Sequence, residues 1–197
     1  RLMSESHITE VDQLRVNMYR LLARSLASPI DPEFLNLLAS LEGDGSSLGL
    51  ALGELASAAK TADLKVAKQE YQDLFIGVGR GELLPFGSYY LTGFLNEKPL
   101  SRLRNDMASL GIERDPSVKE PEDHAGALMD MMAGLIDGTF GKAQPLSVQQ
   151  DFFKKHINNW MPHFFKDLAA AKHANVLQPV GKIGGLFLEI EESAFAM

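Results

Sequence analysis

Cysteine is absent from the 197 residues. That removes disulfides, thiolate metal sites and thiol catalysis together. Long apolar runs are absent too, and none approaches the ~20 residues a helix needs to cross a bilayer. Positive charge is scarce: 19 Lys and Arg stand against 26 Asp and Glu, a formal net charge of −7. Nucleic-acid binding needs a basic face to neutralise phosphates, so that class is excluded, whereas a basic partner is favoured. The first ten residues, RLMSESHITE, lack the apolar stretch of a secretory signal. With no cysteine to suggest an oxidising compartment, the expected location is cytoplasmic.

Sustained apolar/polar alternation and hairpin signals are also missing, which leaves helices. Residues 8–27 place Val11, Leu14, Met18, Leu22 and Leu26 on one helical stripe, with Thr9 as a cap. Asp31-Pro32 opens a second helix and Leu48–Ala59 forms a third. Leu64, Ala67, Tyr71, Leu74 and Phe75 carry a fourth into the glycine run Gly77-Val78-Gly79-Arg80-Gly81. Leu100, Leu103, Met107 and Leu110 share a face that Gly111 ends. Pro121 is expected to start the next helix, with Glu122 and Asp123 in its first turn. Residues 146–172 read as helical but broken near Asn158-Asn159, because Pro162 removes a backbone donor. A last helix runs from about Val180 despite glycines at 181, 184 and 185. The fold class is all-α. Residues 111–120 are polar, contain Pro116 and lack apolar periodicity. They read as a hinge between a helical lobe at 1–110 and another at 121–197, a bundle whose lobes could exchange between copies.

The stretch Glu70–Tyr90 is the chemically odd one. After its glycines come Leu83, Leu84, Pro85, Phe86, Ser88, Tyr89 and Tyr90, too apolar for an ordinary solvated loop. The glycine run does not fit a phosphate-binding motif, having neither a Gly-Lys-Ser/Thr nor a GxGxxG between strand and helix. The five histidines, at 7, 124, 156, 163 and 173, show no i, i+4 pair and no HExxH, so no metal site is expected. Asp123-His124 pairs an acid with a candidate base, but a hydrolase needs a nucleophile and an oxyanion site as well. Ser88, the one candidate nucleophile, lacks an elbow context. The same pair reads equally as a helix-start carboxylate with a histidine tucked under the preceding loop. Methionines at 107, 129, 131 and 132 are ordinary core filler, or the flexible wall of a surface that accepts varied apolar segments. A groove for an amphipathic peptide needs apolar walls and a few polar anchors. Leu74, Phe75, Pro85, Phe86 and Tyr90 supply candidate walls, with Ser88, Asp123 and His124 as anchors. Asp106–Asp137 is acidic, a solvated face or an attractor for a cationic peptide.

Three blocks in order give a family resemblance. They are Glu70-Tyr71-x-x-Leu74-Phe75 with Pro85-Phe86-x-Ser88-x-Tyr90, then Glu120-Pro121-Glu122-Asp123-His124 with Met129, then Phe153-x-x-His156-x-x-x-Trp160-x-Pro162-x-Phe164. Together they resemble the TorD/DmsD family of redox-enzyme maturation chaperones, TorD-like members in particular. The resemblance implies a non-enzymatic cytoplasmic chaperone. Its partner would be the precursor of a molybdenum-cofactor oxidoreductase, bound through its twin-arginine leader and held back from export until the cofactor is inserted. It also implies that Asp123 and His124 serve leader recognition, that lobes exchange in a homodimer, and that guanine nucleotide binds weakly, with no residue assignable. No other cofactor is expected. Phe86 departs from members that carry tryptophan there, which leaves the leader preference open. Two other classes stay in view: a nucleotide- or metal-dependent enzyme using Gly77–Gly81 with Asp123 and His124, and a general helical adaptor.

Overall fold

The computed structural model describes residues 8–197. Residues 1–7, which include His7 and most of the segment searched for a secretory signal, lie outside the described residues. Among the described residues there are ten α-helices, two π-helical turns and no strand.

Helix α1 (Glu10–Ala27) starts where Thr9 Oγ1 accepts the Asp12 amide at 3.1 Å. It buries Val16, Tyr19, Leu22, Ala23 and Leu26, while Val11 and Leu14 stay exposed. The expected stripe is therefore rotated. The face is set by Arg15, whose guanidinium donates to the buried Glu191 at 2.9–3.2 Å and to Gln149 at 2.9 Å. A charge-assisted fork of this kind outweighs two apolar side chains in the first turns of a helix. Helix α2 (Pro32–Ala39) is capped by Asp31, which takes the Phe34 amide at 2.7 Å, and packs on α3 (Ser47–Thr61).

Helix α4 (Leu64–Tyr71) widens directly into a π-helical turn, Gln72–Ile76. The short α5 (Gly87–Thr92) precedes α6 (Lys98–Leu110), which ends at Gly111 in the left-handed region (φ 73°). Helix α7 (Ala125–Asp137) begins four residues later than expected. Pro121–His124 form a turn outside it, held by His124 N donating to Pro121 O at 3.2 Å. The break foreseen near Asn158 is present. Helix α8 (Leu146–Phe152) opens into a second π-helical turn, Phe153–Ile157, and α9 (Met161–Ala169) restarts with Pro162 in its first turn.

Helix α10 (Gln178–Phe195) explains its glycines by contact with α9. A Cβ on Gly184 would lie 2.4 Å from the Phe165 ring, and one on Gly181 would lie 2.5 Å from the Ala169 nitrogen. The two helices approach closely because those side chains are missing. Helix α7 lies along α1, and α10 covers α3 and α9. The buried apolar side chains accordingly join in one cluster from Val16 to Leu188, so that residues before 111 and after 120 share a core.

Candidate peptide-binding site

The first motif block is built inward. The Glu70 carboxylate accepts the amides of Asn175, Val176 and Leu177 at 2.7–2.9 Å, tying α4 to the turn that starts α10. Burial pushes its pKa up against the pull of those three donors. The Tyr71 hydroxyl donates to Leu26 O at 3.0 Å, and burial raises that phenol to about 12. Leu74 and Phe75 are buried, and Phe75 packs against Tyr71 and Phe164.

The glycine run then turns the chain back on itself. Gly77 sits at φ 63°, where a Cβ would meet Arg80 O at 2.0 Å, and the Gly81 Cβ position lies 2.5 Å from Leu74 O. The returning segment hands the amides of Glu82 and Leu83 to the carbonyls of Asp73 and Leu74 at 3.1 and 2.8 Å. The glycines thus serve close backbone approach.

The three motif blocks meet around α5. Ser88 N donates to Asp123 Oδ2 at 2.7 Å, and Gly87 N to Asp123 O at 3.0 Å. Asp123, 3% exposed, therefore caps α5 from 35 positions away. In return Ala125 N donates to Pro85 O at 2.8 Å, and the Phe86 ring meets the His124 ring edge-on at 5.2 Å. From the third block comes Trp160, on which Gly87 rests closely enough that a Cβ would sit 3.1 Å from the indole nitrogen. Trp160 Nε1 donates to His156 O at 2.9 Å, and His156 Nε2 pairs with Asp106 at 2.5 Å. Tyr90 packs at a tilt on Trp160 and edge-on against Phe164, and its hydroxyl donates to Asp167 at 2.7 Å. Burial, with Asp167 beside it, drives the Tyr90 pKa far above the usual phenol range.

His124 is the N-cap of α7: its Nδ1 accepts the Gly126 amide at 3.0 Å. The ring is held neutral. Burial lowers its pKa from 6.5 to about 4, against the opposite pull of Glu120 and Asp123.

The eight residues read from the sequence as a groove do not line one in common. Leu74, Phe75, Pro85, Ser88 and Asp123 are closed to solvent, and the Asp123 oxygen nearest α5 is already taken by Ser88 N. Asp123 Oδ1 and Ser88 Oγ are buried with no partner. Of the eight, His124 alone reaches the main cavity, about 550 Å³ in volume. The cavity lies between α7, the end of α1 and the strap formed by residues 112–122. Its apolar floor is made by Met107, Ile112, Met131 and Phe140, and its rim carries Glu113, Asp115, Glu120 and Asp130 against Arg114 and Lys119. The acidic run and two of the methionines noted in the sequence thus come together here. Ile112 and Phe140 were missed. A lone isoleucine inside a polar linker was the available signal for the first; Phe140 follows the helix stop Gly138 and gave none. Among the described residues, no three His, Asp or Glu side chains cluster as metal ligands.

Residues 42–166 match the family described as nitrate reductase delta subunit, well over half of the chain. The chain belongs to that family. The matched span holds all three motif blocks and the strap. Within the same family grouping, the chain is 32% identical over 110 residues to the chaperone protein TorD of Vibrio cholerae serotype O1, covering 52% of this chain and 50% of that protein. It is 29% identical over 146 residues to the chaperone protein TorD of Vibrio parahaemolyticus serotype O3:K6, covering 67% of each. The aligned part thus spans about half the length of the first of these relatives. A crystal structure of a putative redox enzyme maturation protein from Archaeoglobus fulgidus superposes with a TM-score of 0.57 at 19% identity, over 96% of this chain and 99% of that one. That likeness gives the fold, and the TorD/DmsD resemblance and the all-α class read from the sequence both hold.

Proposed function

We propose that this TorD/DmsD family protein is a non-enzymatic maturation chaperone. It binds the twin-arginine leader of a molybdenum-cofactor oxidoreductase in the cavity beneath the strap and keeps the precursor from export until its cofactor is in place. The observation that carries the reading is the pairing of an apolar, methionine-bearing floor with an acidic rim beside the family's Asp-His motif. A leader is an apolar segment preceded by arginines, and its two halves suit the floor and the rim. His124 contributes an edge of the wall, while Pro85, Phe86, Ser88 and Asp123 position that wall from behind. Tyr90, Leu74 and Phe75 support it through the shared core. The relatives named as chaperones support the absence of catalysis, and the work is done by binding, in the cytoplasm, where leaders are made.

Calorimetry with a synthetic leader tests this. Binding is expected in wild type, weakened by Met131→Glu, which would seat a carboxylate on the apolar floor, and weakened again by added salt through the arginine contacts. No heat of binding for any leader, with the protein folded by circular dichroism, would overturn the reading.

A further inference from the structure

We propose that Arg114 of the strap is an internal occupant of an arginine site on Glu122, and that it pins the strap across the cavity until an arginine of the guest peptide displaces it. The inference rests on the peptide-binding reading above and names how that same site is gated.

Glu122 is 7% exposed, and its two oxygens are used unequally. Oε2 accepts Arg104 Nε at 2.9 Å, a direct charge-assisted hydrogen bond. Oε1 faces Arg114 Nε at 3.5 Å, too long for a good hydrogen bond. Arg104 is thus the fixed partner and Arg114 the loose one. The same Arg114 guanidinium crosses the strap, Nη2 donating to the carbonyls of Val118 and Lys119 at 3.3 and 3.4 Å. It therefore links the two arms of the strap to each other and to a carboxylate at the cavity wall.

Little else fastens the strap. Residues 113–120 are all exposed. Their other hydrogen bonds, Ser117 and Val118 back to Asp115, are local and would survive movement of the whole segment. The ends are anchored: Ile112 is buried with its amide on Met107 O at 2.9 Å, and Glu122 is buried on Arg104. A segment anchored at both ends and loose between them moves as a flap. Exchanging one guanidinium for another also leaves the buried carboxylate compensated at each stage, which avoids the cost of an unpaired charge. A lysine-bearing peptide would lack the spread of donors with which a guanidinium meets Oε1 and the strap carbonyls at once.

The test is fluorescence anisotropy with a labelled peptide made of an apolar segment preceded by two arginines. Wild type, Arg114→Gln and Arg102→Gln are compared. Arg102 is exposed on α6, lies outside the cavity and controls for the loss of one positive charge. Arg114→Gln is expected to bind about two- to fivefold tighter, the range that matches release of one partly exposed ion pair. Arg102→Gln is expected to bind as wild type does, and replacing the peptide's arginines by glutamine is expected to abolish the gain. Equal or weaker binding by Arg114→Gln, or an equal gain from Arg102→Gln, would overturn the gate while leaving peptide binding intact. Absence of binding by all three proteins would instead bring down the peptide-binding reading and the gate with it.

Discussion

Asp123 and His124 are neighbours in the chain with opposite attachments. Asp123 reaches back to α5 and His124 forward to α7, so the pair joins two helix starts. Asp123→Ala removes an acceptor from a buried amide and should cost about 1–3 kcal/mol in urea denaturation. Asp123→Asn keeps an oxygen for Ser88 N and should cost clearly less. An equal loss in both would mean that the charge, rather than the cap, matters. His124 makes a pH prediction. Its folded-state pKa of about 4 lies below the ordinary 6.5, so the unfolded chain binds the proton more readily. The stabilisation from the neutral ring is complete above pH 6.5 and lost as pH falls towards 4, at most about 3 kcal/mol. His124→Asn, which can cap without titrating, should flatten that part of the stability profile measured by thermal melts from pH 7 to 4.5. An unchanged slope would assign it to other groups. The sequence offered two readings, a joint anchor and a helix-start carboxylate with a histidine tucked under the preceding loop; the second is close to the structure, but the partner of Asp123, 35 positions away, was not legible.

The helices themselves were legible because their signals are local. Thr9 and Asp31 cap as their spacing says, and Pro162 breaks the late helix where a missing donor requires it. What sequence period could not supply was the choice of face. Helix α1 has apolar residues on two sides, and the side that is buried depends on Glu191, 176 positions from Arg15. The start of α7 was misplaced for a similar reason: Glu122 and Asp123 look like first-turn carboxylates, yet each is engaged elsewhere, by Arg104 and by Ser88. Glycines 181 and 184 looked like weaknesses in α10 and are instead its contact with α9. Gly184→Ala drives a methyl group into Phe165 and should destabilise the fold by about 1–3 kcal/mol despite the better helix propensity of alanine. Gly185→Ala, with open space around it, should be neutral or stabilising in the same denaturation series.

At the scale of the whole molecule, one core joins both halves of the chain through the α1–α7 and α3–α10 contacts. The same contacts would form if the second half came from another copy, and we propose that residues 111–120 permit that exchange. Extended, ten residues span up to about 35 Å, enough to carry a lobe to a neighbour. Deleting residues 115–117 shortens the fold-back and should shift the mass seen by light scattering from 21.6 kDa to twice that value. A shortened protein that stays monomeric at high concentration would count against exchange. The central claim concerns the cavity, and photocrosslinking tests it most directly. A synthetic twin-arginine leader carrying a benzophenone side chain in its apolar segment is irradiated with the protein, and the adduct is mapped by mass spectrometry. The account predicts adducts on Met107, Met131 or Ile112, suppressed by excess unlabelled leader; adducts confined to exposed residues away from the strap, such as Val78 or Phe94, would contradict it.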